Sequence, residues 1–234
     1  MSPVKPLAVF DFDGTLCPGD SILPFLMTCI REGIAPRTQL LKAARGYLGQ
    51  RAGLISPGEA KSMTLSFLKG LRDDQVAQTA AAFAREELFP KIPRHALTLL
   101  RDLRDAGWFI LLVSASTDVY MRFLPDLLGA DGVISTICEC TDSQPSVYTG
   151  RVLSNCRDEE KVSRLYAWHA LHPDVGFPPT LGFGDSRHDA PMLAACKTPV
   201  LVSPDRTLRR EFPQAPVLDW SQPVPLSSLL SSAR

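Results

Sequence analysis

The chain has 234 residues, 45% of them hydrophobic, and its 25 lysine and arginine residues balance its 25 aspartate and glutamate residues. That length and apolar content are enough for one large α/β domain, or for one domain with a smaller domain inserted. The zero net charge, without a basic amphipathic stretch, argues against nucleic acid and membrane partners, and the N-terminal residues lack the long apolar run of a secretory signal. We therefore expect a cytoplasmic protein that binds neither nucleic acid nor membrane.

The first predicted element is a buried strand that begins at residue 6 and ends in two carboxylates, Asp11 and Asp13. Alternation along a strand directs both side chains to the same face, where their negative charges repel each other. The pair becomes favourable when a metal ion lies between the acids or when one of them holds a proton. The following Gly14 also permits a simple turn after the strand, which is the alternative interpretation.

From residue 20 to about residue 88 the sequence shows helical patterns and no strand pattern. A capping box predicts a helix start at Ser56, because Pro57 suits the first helical position and Glu59 lies three residues after the cap. Residues 73–88 are alanine-rich and begin with two aspartates, which favours a helix. Two further helices are expected, over residues 21–32 and 37–48.

After Pro93 helical patterns alternate with apolar runs, which indicates a parallel α/β sheet. Helices are predicted over residues 94–107, 118–130, 158–171 and 188–196. Strands are predicted over residues 108–116, 132–136, 179–186 and 199–205, with a hairpin over residues 138–154. The Pro- and Ser-rich tail, residues 221–234, is expected to be irregular.

Six cysteines are spread along the chain, at Cys17, Cys29, Cys138, Cys140, Cys156 and Cys196. In a short secreted chain this number would indicate three disulfides, but here the chain is long and several cysteines lie in apolar contexts. We therefore expect free, buried thiols. The alternative is a metal site built from the Cys-Glu-Cys stretch and Cys156, which lacks the spacing and the histidines of a usual zinc site.

Three predicted strands end in polar residues: the first in Asp11 and Asp13, the second in Ser114 and a later one in Asp185. Ligands of open parallel sheets bind beyond the carboxyl ends of the strands, so these side chains are expected to meet in one crevice. Ser114 either simply terminates its strand or, with neighbouring backbone N–H groups, holds a phosphate oxygen.

Lys161 and Asp189 lie near the starts of two predicted helices. The helix dipole disfavours a cation such as Lys161 in the first turn, although the three acids before it compensate in part. Asp189 suits a helix start as a capping residue, which is its structural alternative. Taken together, strand-end carboxylates suit Mg²⁺, whereas a hydroxyl and a lysine suit a phosphate.

The order of these residues resembles the motifs of the haloacid dehalogenase-like superfamily. Residues 11–16, DFDGTL, resemble its first motif, Ser114 its second, Lys161 its third, and residues 184–189, GDSRHD, its fourth. The helical segment between the first two motifs is similar to the C1 cap of the phosphoserine phosphatase-like branch. The resemblance implies a Rossmann-like parallel sheet with helices on both faces, formed by residues 1–19 and 89–234. It also implies an inserted all-helical cap, residues 20–88.

For function, the resemblance implies a Mg²⁺-dependent phosphatase that hydrolyses a small phosphorylated metabolite through an aspartyl-phosphate. Asp11 would be the nucleophile, and Asp13 would protonate the leaving group and then deprotonate water. Mg²⁺ would bind Asp11, the backbone carbonyl of Asp13, and Asp185, while Asp189 would orient a metal-bound water or Lys161. The phosphate would be bound by Ser114, Lys161, Phe12 and Ala115.

Three other activities remain as alternatives within this interpretation. A dehalogenase of the same fold does not need a second acid, so Asp13 argues against it. A phosphotransferase would use the same intermediate and pass it to an alcohol. A non-hydrolytic phospho-acceptor or scaffold would keep a stable phospho-aspartate, which Asp13 is placed to hydrolyse.

The sequence offers only candidates for the residues that select the substrate. Asp20 lies at the start of the predicted cap, where it would meet a substrate or cap a helix. His188 lies beside the fourth motif, at the edge of the pocket or facing solvent. Four cap arginines either bind a substrate carboxylate or lie on solvated helix faces: Arg31, Arg37, Arg45 and Arg51.

Overall fold

The computed structural model describes residues 4–231. Seven strands form one sheet in the order β4-β3-β2-β1-β5-β6-β7, with all neighbours parallel except the antiparallel pair β3 and β4. The strands are β1 Leu7–Phe10, β2 Phe109–Thr117, β3 Gly132–Cys140, β4 Tyr148–Ser154, β5 Leu181–Gly184, β6 Thr198–Val202 and β7 Val217–Leu218. The predicted parallel α/β fold is therefore confirmed.

Helices connect the strands and cover both faces of the sheet. The α-helices are α1 Ile22–Arg31, α2 Gln39–Arg51, α3 Pro57–Leu65, α4 Asp73–Phe83, α5 Arg94–Asp105, α6 Asp118–Met121, α7 Leu124–Leu128, α8 Glu159–Leu171, α9 Ala190–Ala194, α10 Arg206–Glu211 and α11 Leu226–Ser231. Among residues 4–231, no helix combines the length and apolar character needed to cross a bilayer.

Strand β1 lies in the middle of the sheet, and all four of its residues are buried. Its side chains alternate between the two faces, as the strand period of two requires. Phe10 packs in one cluster with Leu99 of α5, whereas Val9 packs in another with Leu165 of α8. Both faces of β1 are thus covered, which explains its uninterrupted apolar sequence.

Between β1 and α5 the described chain forms helices and turns, apart from two isolated bridges, Asp13 with Cys17 and Arg72 with Val147. An aromatic cluster packs this segment on the core: the rings of Phe25 and Phe83 lie 4.9 and 5.3 Å, respectively, from that of Tyr120 in α6. The predicted capping box at Ser56 is confirmed, since its side chain accepts from the backbone of Glu59 and the Glu59 carboxylate accepts in return.

Backbone hydrogen bonds also tie the helical segment to the hairpin β3–β4. Gly70 donates to the carbonyl of Tyr148, and Tyr148 donates to the carbonyl of Leu71, both at 2.9 Å. The start of α4 is held in the same way, because Asp73 donates to the carbonyl of Ser146 at 3.0 Å. Residues 70–73 of this segment are therefore fixed on the hairpin rather than free in solvent.

The structure adds two elements that were not predicted, α10 and β7, and it differs from the predicted elements elsewhere. The helix predicted over residues 118–130 is two short helices, α6 and α7, separated at Arg122 and Phe123. The strands predicted over residues 132–136 and 138–140 are one continuous strand, β3. The tail, expected to be irregular, contains α11, whose Leu229 is buried in the main core. All six cysteines lie in the described range and are free, and all but Cys140 are buried, as expected.

Candidate active site

A cavity of about 730 Å³ opens where the carboxyl ends of β1, β2 and β5 face the helical segment. Asp11 follows β1, Asp185 follows β5, and Ser114 lies in β2. Other sequence-predicted residues also border the cavity, namely Asp13, Asp20, Ala115, Lys161, His188 and Asp189. Phe12 does not border it, since its side chain is buried in the core.

Lys161 lies between two carboxylates at the base of the cavity. Its Nζ donates to Asp11 Oδ1 and to Asp189 Oδ1, both at 2.6 Å, and the lysine is 1% exposed. Burial alone would lower the pKa of Lys161, but the two carboxylates outweigh it and raise that pKa. The ammonium therefore stays charged and holds Asp11 in a fixed orientation, with Thr15 donating to the other Asp11 oxygen at 3.1 Å.

Both carboxylate oxygens of Asp189 accept hydrogen bonds from neighbouring residues. Besides the bond from Lys161, its Oδ2 accepts from the backbone N–H of Asp185 at 3.2 Å and from that of Ser186 at 3.1 Å. Burial acts to raise the pKa of Asp189, yet Lys161 and the bonds from Ser186 lower it overall. Asp189 is thus an ionised carboxylate that positions Lys161 and the loop carrying Asp185.

Asp185 approaches Asp11 closely because the chain has no side chain at Gly14. A Cβ atom at Gly14 would lie 2.3 Å from Asp185 Oδ2, and the backbone there has a φ of +83°. Burial, followed by the charges of Asp11 and Asp189, raises the pKa of Asp185 to about 8. A glycine is therefore required at position 14 both by the backbone conformation and by the neighbouring carboxylate of Asp185.

Asp13 lies in a network of hydroxyl groups. Its Oδ2 accepts from Ser21 at 2.9 Å and from Ser116, and Ser21 also bonds the hydroxyl of Tyr120 at 2.7 Å. Its other oxygen, Oδ1, has no hydrogen-bond partner among the described residues although it is buried. Burial and next the charge of Asp20 raise the pKa of Asp13 to about 7, despite the bonds from Ser116 and Ser21. This carboxyl is suited to exchange a proton near neutral pH.

Lys61 is a cavity residue that the sequence did not single out. From α3 its Nζ reaches the core, where it donates to the carbonyl of Ala115, to Asn155 Oδ1 at 2.5 Å and to Thr136 Oγ1 at 3.3 Å. Burial lowers the pKa of Lys61 to about 8. Nothing in the sequence around it distinguishes this lysine from a solvated helix charge, because its partners come from distant strands.

A second unpredicted cation, Arg157, borders the cavity beside His188. The guanidinium contacts His188 Nε2, and His188 Nδ1 lies 2.7 Å from Asp158 Oδ1. Because arginine only donates, Nε2 is the acceptor and Nδ1–H donates to Asp158. The Nε of Arg157 is buried without a hydrogen-bond partner among residues 4–231. His188 is therefore at the cavity edge, where it orients an arginine.

Asp20 lies at the start of α1, at the border of the cavity. Its Oδ1 accepts from the backbone N–H of Ile22 at 2.9 Å. None of the four cap arginines proposed for a substrate carboxylate borders the cavity. Arg31, for example, donates to Glu87 at 2.7 Å on the surface. The cations that the cavity does contain are Lys61, Arg157 and Lys161.

The acidic groups of the cavity fit a divalent metal ion. Oxygens of Asp11, Asp185 and Asp189 lie within 4.8 Å of one another, and the only cation that bonds them in the described structure is Lys161. Ionising all three carboxylates beside one ammonium would leave two negative charges, and burial together with this repulsion raises the pKa of Asp185 and that of Asp11, the latter to about 6. Hard oxygen ligands with this excess charge are those that Mg²⁺ prefers.

Comparisons with known proteins agree with this geometry. A family model described as haloacid dehalogenase-like hydrolase matches residues 8–194. Protein CicA of Caulobacter vibrioides is 36% identical over 200 residues, which cover 80% of this chain and 82% of that protein. Histidinol-phosphatase of Neisseria meningitidis is 25% identical over 223 residues, covering 93% of this chain and 100% of that protein.

The fold is also found among solved structures. A substrate-bound phosphoserine phosphatase complex is similar with a TM-score of 0.65 at 17% identity, covering 97% of each chain. The parallel sheet and the helices on both of its faces are thus shared with a protein of very different sequence. On the family match and on these likenesses, the chain belongs to the haloacid dehalogenase-like hydrolases.

Proposed function

We propose that this protein is a Mg²⁺-dependent phosphatase that hydrolyses a small phosphate monoester through an aspartyl-phosphate on Asp11. The broad class is a phosphoric monoester hydrolase, in line with the family and with the phosphatases among its relatives. The observation that carries the finer proposal is the position of Lys161, 2.6 Å from both Asp11 and Asp189 at the base of a cavity. This pairing orients one carboxylate oxygen of Asp11 and places an ammonium group at the base of the cavity, where a phosphate would bind.

In the first step, a carboxylate oxygen of Asp11 attacks phosphorus, and the bond from phosphorus to the leaving alcohol oxygen breaks. Lys161 and Thr15 hold the carboxylate of Asp11 so that it needs no reorientation. Asp13 donates its proton to the leaving oxygen, so that a neutral alcohol departs. Its raised pKa, about 7, supports this role because the carboxyl holds a proton near neutral pH.

In the second step, Asp13 takes a proton from a water molecule, and the resulting hydroxide attacks the phosphorus of the aspartyl-phosphate. The bond from phosphorus to Asp11 breaks, which restores the carboxylate and releases inorganic phosphate. Ser114 and Lys161 would contact the phosphoryl oxygens in both steps. Mg²⁺ would be held by Asp11, the carbonyl of Asp13 and Asp185, and would offset the negative charge of the phosphoryl group.

The outer part of the cavity supports a substrate with an apolar portion. The helical segment contributes mainly apolar side chains to that wall, namely Ile22, Leu23, Leu40, Ala43, Ala44 and Tyr47. We further propose that residues 20–88 act as a cap that limits the alcohol to a small molecule, since a cavity of about 730 Å³ is the size of small-molecule sites. Phosphoproteins should then be poor substrates.

A substrate panel tests the proposal. Release of inorganic phosphate would be measured from p-nitrophenyl phosphate, phosphoserine, histidinol phosphate and an aromatic phosphate ester, with Mg²⁺ and after chelation. We expect hydrolysis that depends on Mg²⁺ and is abolished by Asp11→Asn. Full activity after exhaustive chelation would contradict the metal assignment. Formation of a new phosphate ester from an added alcohol, in preference to free phosphate, would favour the phosphotransferase alternative.

A further inference from the structure

Basic charge is concentrated in one part of the helical segment although the chain as a whole is neutral. Residues 33–58 contain no aspartate and no glutamate, but four cations, which are Arg37, Lys42, Arg45 and Arg51. Three of these four cations lie in α2, Gln39–Arg51. The local charge of this stretch is therefore strongly positive.

Exposed apolar side chains are concentrated in the same place. Thirteen large hydrophobic residues of the described chain are exposed, and six of them lie between positions 23 and 54: Leu23, Met27, Leu41, Tyr47, Leu48 and Leu54. Leu41, Leu48 and Leu54 are 67, 63 and 79% exposed. We define the cap patch as Leu41, Tyr47, Leu48 and Leu54 with Lys42, Arg45 and Arg51.

The outward direction of the leucines is fixed by how α2 packs. Leu41 and Leu48 are seven residues apart and so lie on one face of the helix. The opposite face is buried: Gln39 donates to the carbonyls of Met63 and Thr64 at 2.7 and 2.9 Å, and Gly46 lies against the backbone of Ala60. A glycine and a bonded glutamine on the inner face hold α2 close to α3, with the leucines in solvent.

The cations of the cap patch are free to meet an external partner. None of the ion pairs within residues 4–231 includes Lys42, Arg45 or Arg51. Arg51 instead lies over the ring of Tyr47, 5.9 Å from its centroid. Around the helix, Lys42 and Arg45 flank the leucines on one side and Arg51 flanks them on the other, as 100° per residue requires.

We propose that the cap patch binds the surface of an anionic membrane. Exposed leucines with lysine and arginine side chains beside them suit a lipid interface, because the apolar residues enter the acyl boundary while the long cationic side chains reach the headgroups. A polyanion such as nucleic acid would pair with the cations but leave the leucines in water. The occupant that satisfies both groups is an anionic lipid surface.

The position of the cap patch relative to the cavity agrees with this placement. Tyr47 belongs to the patch and also borders the cavity. The exposed Leu23 of α1, which is outside the patch, borders the cavity too. A bound membrane would therefore lie beside the mouth of the active site. The proposal departs from the expectation of no membrane partner, which rested on the zero net charge and on the absence of a basic amphipathic stretch in the sequence; it rests instead on the side chains that the structure exposes on and beside α2.

Vesicle sedimentation tests the proposal without relying on catalysis. The protein would be mixed with vesicles of phosphatidylcholine alone or of phosphatidylcholine with one third phosphatidylglycerol. We expect binding to the anionic vesicles only, decreasing as salt is raised, since the attraction is screened. Lys42→Glu and Arg45→Glu should each weaken the binding by at least about fivefold.

The apolar contribution is tested by Leu41→Asp combined with Leu48→Asp, which should abolish sedimentation. Leu171→Asp is the matched control, because Leu171 is 79% exposed at the end of α8 and outside the patch. Both variants should keep the far-UV circular dichroism of the wild type and its hydrolysis of p-nitrophenyl phosphate without vesicles.

Three outcomes would overturn the proposal. One is the absence of binding to anionic vesicles at low salt, and another is equal binding by the double aspartate variant. The third is a stable dimer in light scattering that the aspartate variant dissociates while neither protein binds vesicles, since a second copy would then cover the patch. Because sedimentation needs no turnover, failure of the phosphatase assay leaves this test unaffected.

Discussion

At the scale of single residues, Gly14 offers the sharpest test of how the two strand-end acids are brought together. We expect Gly14→Ala to lower kcat/KM by about 10²-fold, because its Cβ would lie 2.3 Å from Asp185 Oδ2 and displace that carboxylate. Gly19→Ala is the matched control: its φ of +79° imposes the same strain, about 1 kcal/mol, but no atom lies within 4 Å of its Cβ. Steady-state kinetics and thermal melts of both variants provide the measurement.

If the two glycine variants lost activity equally, backbone strain would explain the effect and the contact with Asp185 would not. A Gly14→Ala variant with normal activity would mean that Asp185 lies elsewhere in the working enzyme. Both conclusions require that the two variants are folded, which the thermal melts establish.

The raised pKa of Asp13 predicts how activity depends on pH. With a pKa of about 7, Asp13 is protonated below that pH, so kcat/KM for an alkyl phosphate should fall as pH rises through 7. The fall should be smaller for p-nitrophenyl phosphate, whose leaving group needs no proton. Because the charge of Asp20 contributes to the raised pKa of Asp13, Asp20→Asn should move the fall to lower pH. Identical profiles for the two esters would argue against Asp13 as the acid.

The residues of the site differ in how far the sequence could reveal them. Asp11, Ser114 and Asp185 could be predicted because each lies at the end of an apolar run, where a parallel sheet places its ligands. Lys61 and Arg157 could not, since their roles come from contacts between distant parts of the chain. The sequence pattern around a lysine or arginine in a helix is the same whether the side chain faces water or a buried carbonyl.

At the scale of secondary-structure elements, Lys61 links α3 to β2. We expect Lys61→Met to destabilise the protein by about 1–3 kcal/mol, because the carbonyl of Ala115 and Asn155 would lose a buried donor. It should also raise KM and weaken inhibition by inorganic phosphate, since Ala115 lies beside Ser114 at the cavity. Chemical denaturation and phosphate inhibition measure the two effects.

The control for this element is Lys69→Met, which removes an exposed lysine of the same helical segment. It should change neither stability nor inhibition by phosphate. If Lys61→Met and Lys69→Met behaved alike, the contact between α3 and the strand would have no energetic or functional importance.

Local signals predicted element starts well and element ends less well. The capping box at Ser56 is read from four adjacent positions, so its success needs no tertiary information. The predicted helix over residues 118–130 breaks because Pro125 has no N–H to donate four residues back. Helix α11 was missed because its formation depends on burying Leu229 against the core. A Pro- and Ser-rich sequence gives no indication of that burial.

At the scale of the whole molecule, the acidic cluster lowers stability unless a cation is bound. In an acid whose pKa is raised, the folded state holds the proton that the unfolded state has lost, so stability falls as pH rises from 3.8 to about 8 for Asp185. Without metal at pH 8, Asp185→Asn should therefore have a higher Tm than the wild type. Mg²⁺ should raise the Tm of the wild type by mass action, but not that of the variant.

Differential scanning calorimetry with and without Mg²⁺ measures both effects. Asp105→Asn, a change at an exposed acid at the end of α5, is the control and should leave the response to Mg²⁺ intact. An equal rise in Tm with Mg²⁺ in wild type and Asp185→Asn would place the metal elsewhere.

The central claim, a covalent intermediate on Asp11, is tested most directly by trapping it. The wild type, Asp13→Asn and Asp11→Asn would be mixed with p-nitrophenyl phosphate and Mg²⁺, quenched in acid within milliseconds, and digested for peptide mass spectrometry. We predict one phosphoryl group on Asp11 in the wild type, a longer-lived one in Asp13→Asn, and none in Asp11→Asn. Turnover in the wild type with no phosphorylated peptide at any time, or with the phosphoryl group on another residue, would contradict this mechanism.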